Sequence, residues 1–220
     1  MAIINFFNAA VCAELLALIT ALLFITLRGV SWWQLFILYL LLVMGVELGG
    51  YYVGIILKKP NYVFYHFLMM VQVGFFSFLF YRFLPIAKVR QWIWLLSLTF
   101  VNFFMLEWLM APEGAFFQYS RQYESFLVVI FSCIFYFSIL KNDQVFNPLT
   151  HPPFWIITGL FFYYFGSAAM FAFSDAVSRI KFTGNLTFYN VVMGTLSCIL
   201  YGCWIIAFIC RKKQQLSYKQ

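Results

Sequence analysis

Charged side chains are scarce in this chain. Only 10% of its 220 residues are Asp, Glu, Lys or Arg, against about 25% in an ordinary soluble domain. Too few polar groups remain to cover a water-facing surface, which excludes a soluble enzyme. A composition that is 65% hydrophobic excludes intrinsic disorder for the same reason. Histidine is rarer still: His66 and His151 stand alone, far apart, with no HExxH motif, which argues against a clustered metal site. Cys12, Cys133, Cys198, Cys203 and Cys210 all fall inside apolar runs and form no CxxC or CxxH pair. They read as small apolar fillers of helix interfaces, not as a disulfide framework or zinc site. There is no GxSxG serine site and no Walker or glycine-rich phosphate loop. The last apolar stretch has no lysine for a retinal Schiff base. No Lys or Arg precedes Arg28, and Glu14 interrupts the first apolar stretch, so that stretch reads as a retained helix and not a signal peptide. Asn185-Leu186-Thr187 has the form of a glycosylation sequon, a pattern that short motifs reach by chance.

Apolar surface, by contrast, is abundant. Aromatic residues make up 23% of the chain, with 30 phenylalanines, and the mean hydropathy is +0.90. A membrane-spanning helix needs about 20 apolar residues, and charges and turn residues divide this chain into seven such runs. They cover about 5–27, 32–57, 62–83, 91–110, 122–140, 153–173 and 187–210. The Pro152-Pro153 pair suits the first turn of the sixth. The prediction is an all-α membrane protein, a single seven-transmembrane-helix bundle over residues 1–220 with no internal repeat.

The basic residues set its orientation. With the N-terminus outside, nine Lys and Arg fall in the inner segments (Arg28, Arg82, Lys88, Arg90, Lys141, Arg211, Lys212, Lys213 and Lys219). Five fall outside: Lys58, Lys59, Arg121, Arg179 and Lys181. Positive residues concentrate on the cytoplasmic side, so the N-terminus is predicted outside and the C-terminus cytoplasmic, in the inner membrane. Trp32, Trp33, Trp92 and Trp155 lie near the predicted inner ends, as an aromatic belt does. The formal net charge of +7 is then a cytoplasmic collar, not a nucleic-acid surface.

Ionisable residues inside the bilayer cost several kcal/mol, about 2.5–3.5 at the low end, and are functional candidates by default. The candidate ligand-binding residues are Glu14, Glu47, Tyr51, His66, Gln72, Asn102, Glu107 and Asn190. Six of the seven acidic residues fall in the outer half, with Asp143 alone inside. His66 and Glu124 lie near outer helix starts, where solvation at the interface or helix capping is expected of them. Asp175 and Asn190 are placed similarly. Glu47, Gly50, Tyr51 and Gly54 share one face of the second helix. Gly50-xxx-Gly54 and Gly45-xxx-Gly49 invite a close helix neighbour, and Tyr51 is placed to donate a hydrogen bond to Glu47. Together these residues predict an outward-facing polar pocket that takes a small cation-bearing or hydrogen-bonding ligand, a cation or a proton. No cofactor is implied. The same glutamates also fit a small transporter or cation/proton carrier. A lipid-modifying enzyme using Glu47 and Glu107 as acid and base is a further alternative, although no catalytic motif is present. Interhelical hydrogen bonding that only staples the bundle would account for each residue singly.

The stretch His151-Pro-Pro-Phe-Trp-Ile-Ile-Thr-Gly-Leu-Phe-Phe-Tyr-Tyr-Phe-Gly166 resembles a segment of small seven-helix membrane proteins of Bacteroidetes-type bacteria. Similar bundles resemble the membrane sensing regions associated with histidine kinases there. The short basic tail Arg211–Gln220 is similar to that of stand-alone versions lacking the kinase. The resemblance covers one helix and the overall layout. It implies signalling, with a histidine kinase as a partner, and carries no site residues with it.

Overall fold

The structure, a computed structural model, describes residues 9–25, 32–110, 112, 117–141, 147–173 and 187–217. Among these residues the chain is helical between short connections. The helices are α1 (Ala9–Phe24), α2 (Gln34–Tyr51), α3 (Tyr62–Phe83), α4 (Ala87–Met110), α5 (Gln118–Leu140), α6 (Pro152–Ala172) and α7 (Phe188–Ser217). A π-helical turn, Tyr52–Ile56, extends α2, and a 3-10 turn, Pro148–Thr150, precedes α6. Counting the π turn with α2, six helices of 21 to 30 residues are long and apolar enough to cross a membrane. The seventh, α1, is apolar but has 16 residues, about 24 Å at 1.5 Å per residue. Large apolar side chains such as Leu109, Met110, Phe126, Phe162 and Phe165 stand exposed, which suits lipid contact and not water. This is an all-α, multi-pass membrane protein.

Several helix ends differ from the sequence reading. The start of α5 lies at Gln118, four residues before the predicted 122, and α4 starts at Ala87 instead of 91. The basic run that should have stopped the last helix at 210 does not stop it, and α7 continues to Ser217. The first turn of α5 is bonded to Glu107 of α4, and Gln214 of α7 to the Thr150 carbonyl, contacts that hydropathy does not record.

Contacts divide the chain into two compact units, one of Met1–Met44 with Val145–Gln220 and the other of Gly45–Gln144. In the first, both α1 and α6 pack on α7. Small residues permit the α6–α7 approach: a side chain at Gly159 would meet the Leu200 carbonyl oxygen at 2.9 Å, and one at Gly166 would meet Leu196 at 2.6 Å. Phe36 stands edge-on to Trp204 and Phe208, with centroids at 5.4 and 5.6 Å, and all three rings are fully buried. The second unit packs α3, α4 and α5 against one another. Its middle is closed by the Phe80–Phe131 contact and by a 2.6 Å Ser77–Ser97 hydroxyl pair. The chain enters it through the end of α2, where the π turn closes on Lys58. That residue has φ of 52°, the left-handed conformation in which helices commonly end.

Candidate functional site

In the second unit α3 runs one way, α4 returns and α5 runs with α3. The starts of α3 and α5 and the end of α4 therefore share one end of the unit. Glu47, Tyr65, His66, Glu107, Arg121 and Glu124 all belong to elements that meet there.

Helix α2 reaches this end through its glycines. A Cβ at Gly50 would lie 3.0 Å from the Tyr65 hydroxyl, and one at Gly54 would lie 2.8 Å from Asn61 Nδ2. The close neighbour expected of the glycine pattern is therefore the start of α3. Gly45 has nothing within 4 Å. The Asn61 amide donates to the Gly50 carbonyl at 3.0 Å and fixes the corner. Glu47 is half-buried, and Tyr65 donates its hydroxyl to Glu47 Oε2 at 3.4 Å, the long limit for such a bond. Tyr65, absent from the candidates, thus reaches Glu47. Tyr51, expected in that role, is half-buried at the last residue of α2.

Glu107 is held differently. Its Oε1 accepts from the Tyr119 amide at 3.1 Å, and its Oε2 accepts from the Ser120 amide at 2.9 Å and the Ser120 hydroxyl at 2.5 Å. These amides belong to the first turn of α5, where backbone donors lack helical partners and negative charge is favoured. Glu107 caps a neighbouring helix across the α4–α5 connection.

His66 and Glu124 are not at a solvated interface, contrary to the sequence expectation; each is 2% exposed. The His66 ring stacks on Phe117 at 3.8 Å and 16° and stands edge-on to Phe104 and Trp108, both at 6.3 Å. Tyr62, one turn earlier, completes the aromatic box. The reason lies in Phe117, which folds back from the start of α5 over α3. Glu124 lines a narrow crevice between α3 and α5, with Val73, Phe76, Ser77 and Phe80 on one wall and Leu127, Val128 and Phe131 on the other. Both walls follow the i, i+3, i+4, i+7 pattern of a single helix face. Arg121, predicted to lie before the fifth helix, is inside α5, and its charge acts on Glu47, Tyr65 and His66.

The other candidates are dispersed. Gln72 is half-buried midway along α3. Asn102 is exposed and donates to the Leu98 carbonyl of its own helix at 3.0 Å. Glu14 and Asn190 belong to the first unit. Glu14 is 4% exposed, on the α1 face formed with Val11, Ala17 and Ala21. Asn190 is exposed, and its amide donates to the Thr187 hydroxyl at 3.3 Å, so Thr187 caps α7. Glu113, Asp143 and Asp175 lie outside the described residues. Among the described residues no three His, Cys, Asp or Glu side chains gather as metal ligands.

Glu107 has both oxygens committed to α5. Glu47, half-buried with one long bond and a cation nearby, is the carboxylate with acceptor capacity to offer a ligand. The chain matches no protein-family model, no curated protein and no solved structure. Its class rests on its own fold, that of a multi-pass α-helical integral membrane protein.

Proposed function

We propose that this protein is a non-enzymatic membrane sensor whose polar end, in the second unit, receives a small cation, amine or proton. A membrane or cytoplasmic signalling partner, such as a histidine kinase, takes up the response. The chain crosses the inner membrane seven times, with the N-terminus outside. The observation that carries this reading is the concentration of Glu47, Tyr65, His66, Glu107 and Arg121 at one end of the second unit. Glu47 is the member with an open acceptor. The enzyme alternative draws less support, because Glu107 is tied to the amides of α5 and is not poised to exchange a proton with substrate. The carrier alternative draws less as well, because Asn102, a polar residue that a path across the membrane would need, is bonded to its own helix on an exposed face.

The test uses purified protein in lipid nanodiscs, titrated with sodium, potassium, ammonium, methylammonium and protons while tryptophan fluorescence is followed. Trp108 borders the site and supplies the signal. The expected result is a saturable change with at least one probe that is lost in Glu47→Gln and partly kept in Glu47→Asp. A wild-type protein silent to the whole panel, or a response unchanged in Glu47→Gln, overturns the proposal.

A further inference from the structure

The basic run of α7 was expected to be a tail beyond the membrane span. Instead the helix carries Arg211, Lys212 and Lys213 as a rigid continuation of its apolar part. Two contacts hold that continuation against the first unit. Gln214 donates to the Thr150 carbonyl at 3.1 Å, and the Cys210 thiol lies 3.5 Å from the Leu149 carbonyl. The same Leu149 carbonyl accepts from the Trp155 indole at 3.0 Å. The Arg211 guanidinium lies over the Trp33 ring, 5.5 Å from its centroid, a cation–π distance. Trp33, Trp155 and the three cations therefore mark one end of this unit, the level at which amphipathic indoles meet lipid headgroups.

The charge there is unbalanced. Among the described residues of this unit the acidic side chain is Glu14. It lies five residues beyond Ala9, whose carbonyl is beside Cys198. Because α1 runs in the same direction as α7, Glu14 sits near the level of Cys203, about 12 Å along the helix axis from Arg211, and it is buried. Arg211 and Gln214 are three residues apart and share the face that packs on protein. Successive residues turn by about 100°, which carries Lys212 and Lys213 away from that face. Lys213 is exposed and Lys212 half-exposed. Two lysines on the side turned from the protein thus follow an arginine held over an indole, with no carboxylate among the described residues of this unit at their end of it.

We propose that Arg211, Lys212 and Lys213 form a binding site for the phosphate of anionic phospholipid headgroups. This proposal stands independently of the sensing reading. Basic clusters next to a spanning helix attract anionic lipid with about a fivefold gain per lysine, and the tryptophans hold the cluster at headgroup depth.

Native mass spectrometry of the full chain in detergent tests it, with phosphatidylglycerol and phosphatidylcholine titrated in parallel. Wild type is expected to prefer phosphatidylglycerol, and the preference should fall with added salt. Lys212→Gln with Lys213→Gln should reduce that preference about 25-fold and leave phosphatidylcholine occupancy unchanged. Lys212→Arg with Lys213→Arg should keep it, and so should Lys58→Gln with Lys59→Gln, which removes equal charge elsewhere. Four outcomes overturn the proposal. The first is a preference that survives the glutamine pair, which would leave the cluster to a protein partner. The second is an equal loss in the Lys58/Lys59 pair, which would make net charge the cause. The third is displacement of lipid by inorganic phosphate beyond that by chloride at matched ionic strength, which would make it a free-phosphate site. The fourth is loss of the preference in the arginine pair.

Discussion

Glu107 shows how one residue changes meaning once its neighbours are known. A glutamate near the outer end of an apolar run reads as a ligand group, and its position on the chain says nothing of Ser120, thirteen residues on. The three hydrogen bonds to Tyr119 and Ser120 explain both the early start of α5 and the fate of that carboxylate. Loss of a capping acceptor costs about 1–2 kcal/mol. Glu107→Ala should therefore lower the midpoint of thermal unfolding in detergent, and Glu107→Gln, which keeps one acceptor oxygen, should lie between it and wild type. An unchanged midpoint in the alanine variant would mean the cap carries no stability. A second residue-scale consequence concerns His151, just outside the α6 span. Burial holds its pKa below the usual histidine value, so as pH falls the unfolded chain takes up the proton first. Stability linked to His151 is full above about pH 6.5 and is lost as pH falls through the folded value. Unfolding midpoints should decline between about pH 7 and about pH 5, and His151→Gln should flatten that decline. A slope identical in the two proteins would assign it to other groups.

At the scale of the helix, hydrophobic length was legible and contact was only partly so. The third apolar run was predicted at 62–83 and the helix is Tyr62–Phe83, because Lys58-Lys59-Pro60 on one side and Leu84-Pro85 on the other leave no helical alternative. The glycine spacing on α2 correctly signalled a close neighbour. It did not say that Tyr65 would reach Glu47, since that depends on the register of α3 against α2. Glycines of equal appearance also differ in what they face. A Cβ at Gly159 would meet the Leu200 carbonyl oxygen at 2.9 Å, where the backbone cannot yield, whereas one at Gly202 would meet nothing within 4 Å. Gly159→Ala should destabilise by about 1–3 kcal/mol through overpacking of α6 on α7. Gly202→Ala should be neutral or gain up to about 1 kcal/mol of helix propensity. Chemical denaturation of both variants in micelles checks the contrast, and equal effects would mean that the α6–α7 approach is not tight.

For the molecule as a whole, the scarcity of charge determines both class and layout. With few ionisable groups available, their placement is informative: Glu47 and Glu107 lie at one end of the second unit, Glu124 lies deeper between α3 and α5, and Arg82, Lys88 and Arg90 lie toward the other end. Sequence alone conveyed that asymmetry because alternate helices reverse direction, so depth follows from position within each run. It missed the burial of His66, because the covering residue, Phe117, reaches it only through the tertiary fold, and that of Glu124, which α3 encloses from Val73 to Phe80. The number of crossings turns on α1, whose 16 described residues fall short of the about 30 Å of a hydrocarbon core. If α1 crosses with the other six, the two termini lie on opposite sides. In the orientation proposed from the positive-inside balance, α7 then ends on the cytoplasmic side. Short epitope tags at each terminus, probed in intact and permeabilised cells, should show the N-terminal tag accessible from outside and the C-terminal tag only after permeabilisation. Both tags on one side would leave six crossings with α1 lying in or on the membrane. A reversed pair would keep seven crossings but turn the polar end of the second unit toward the cytoplasm.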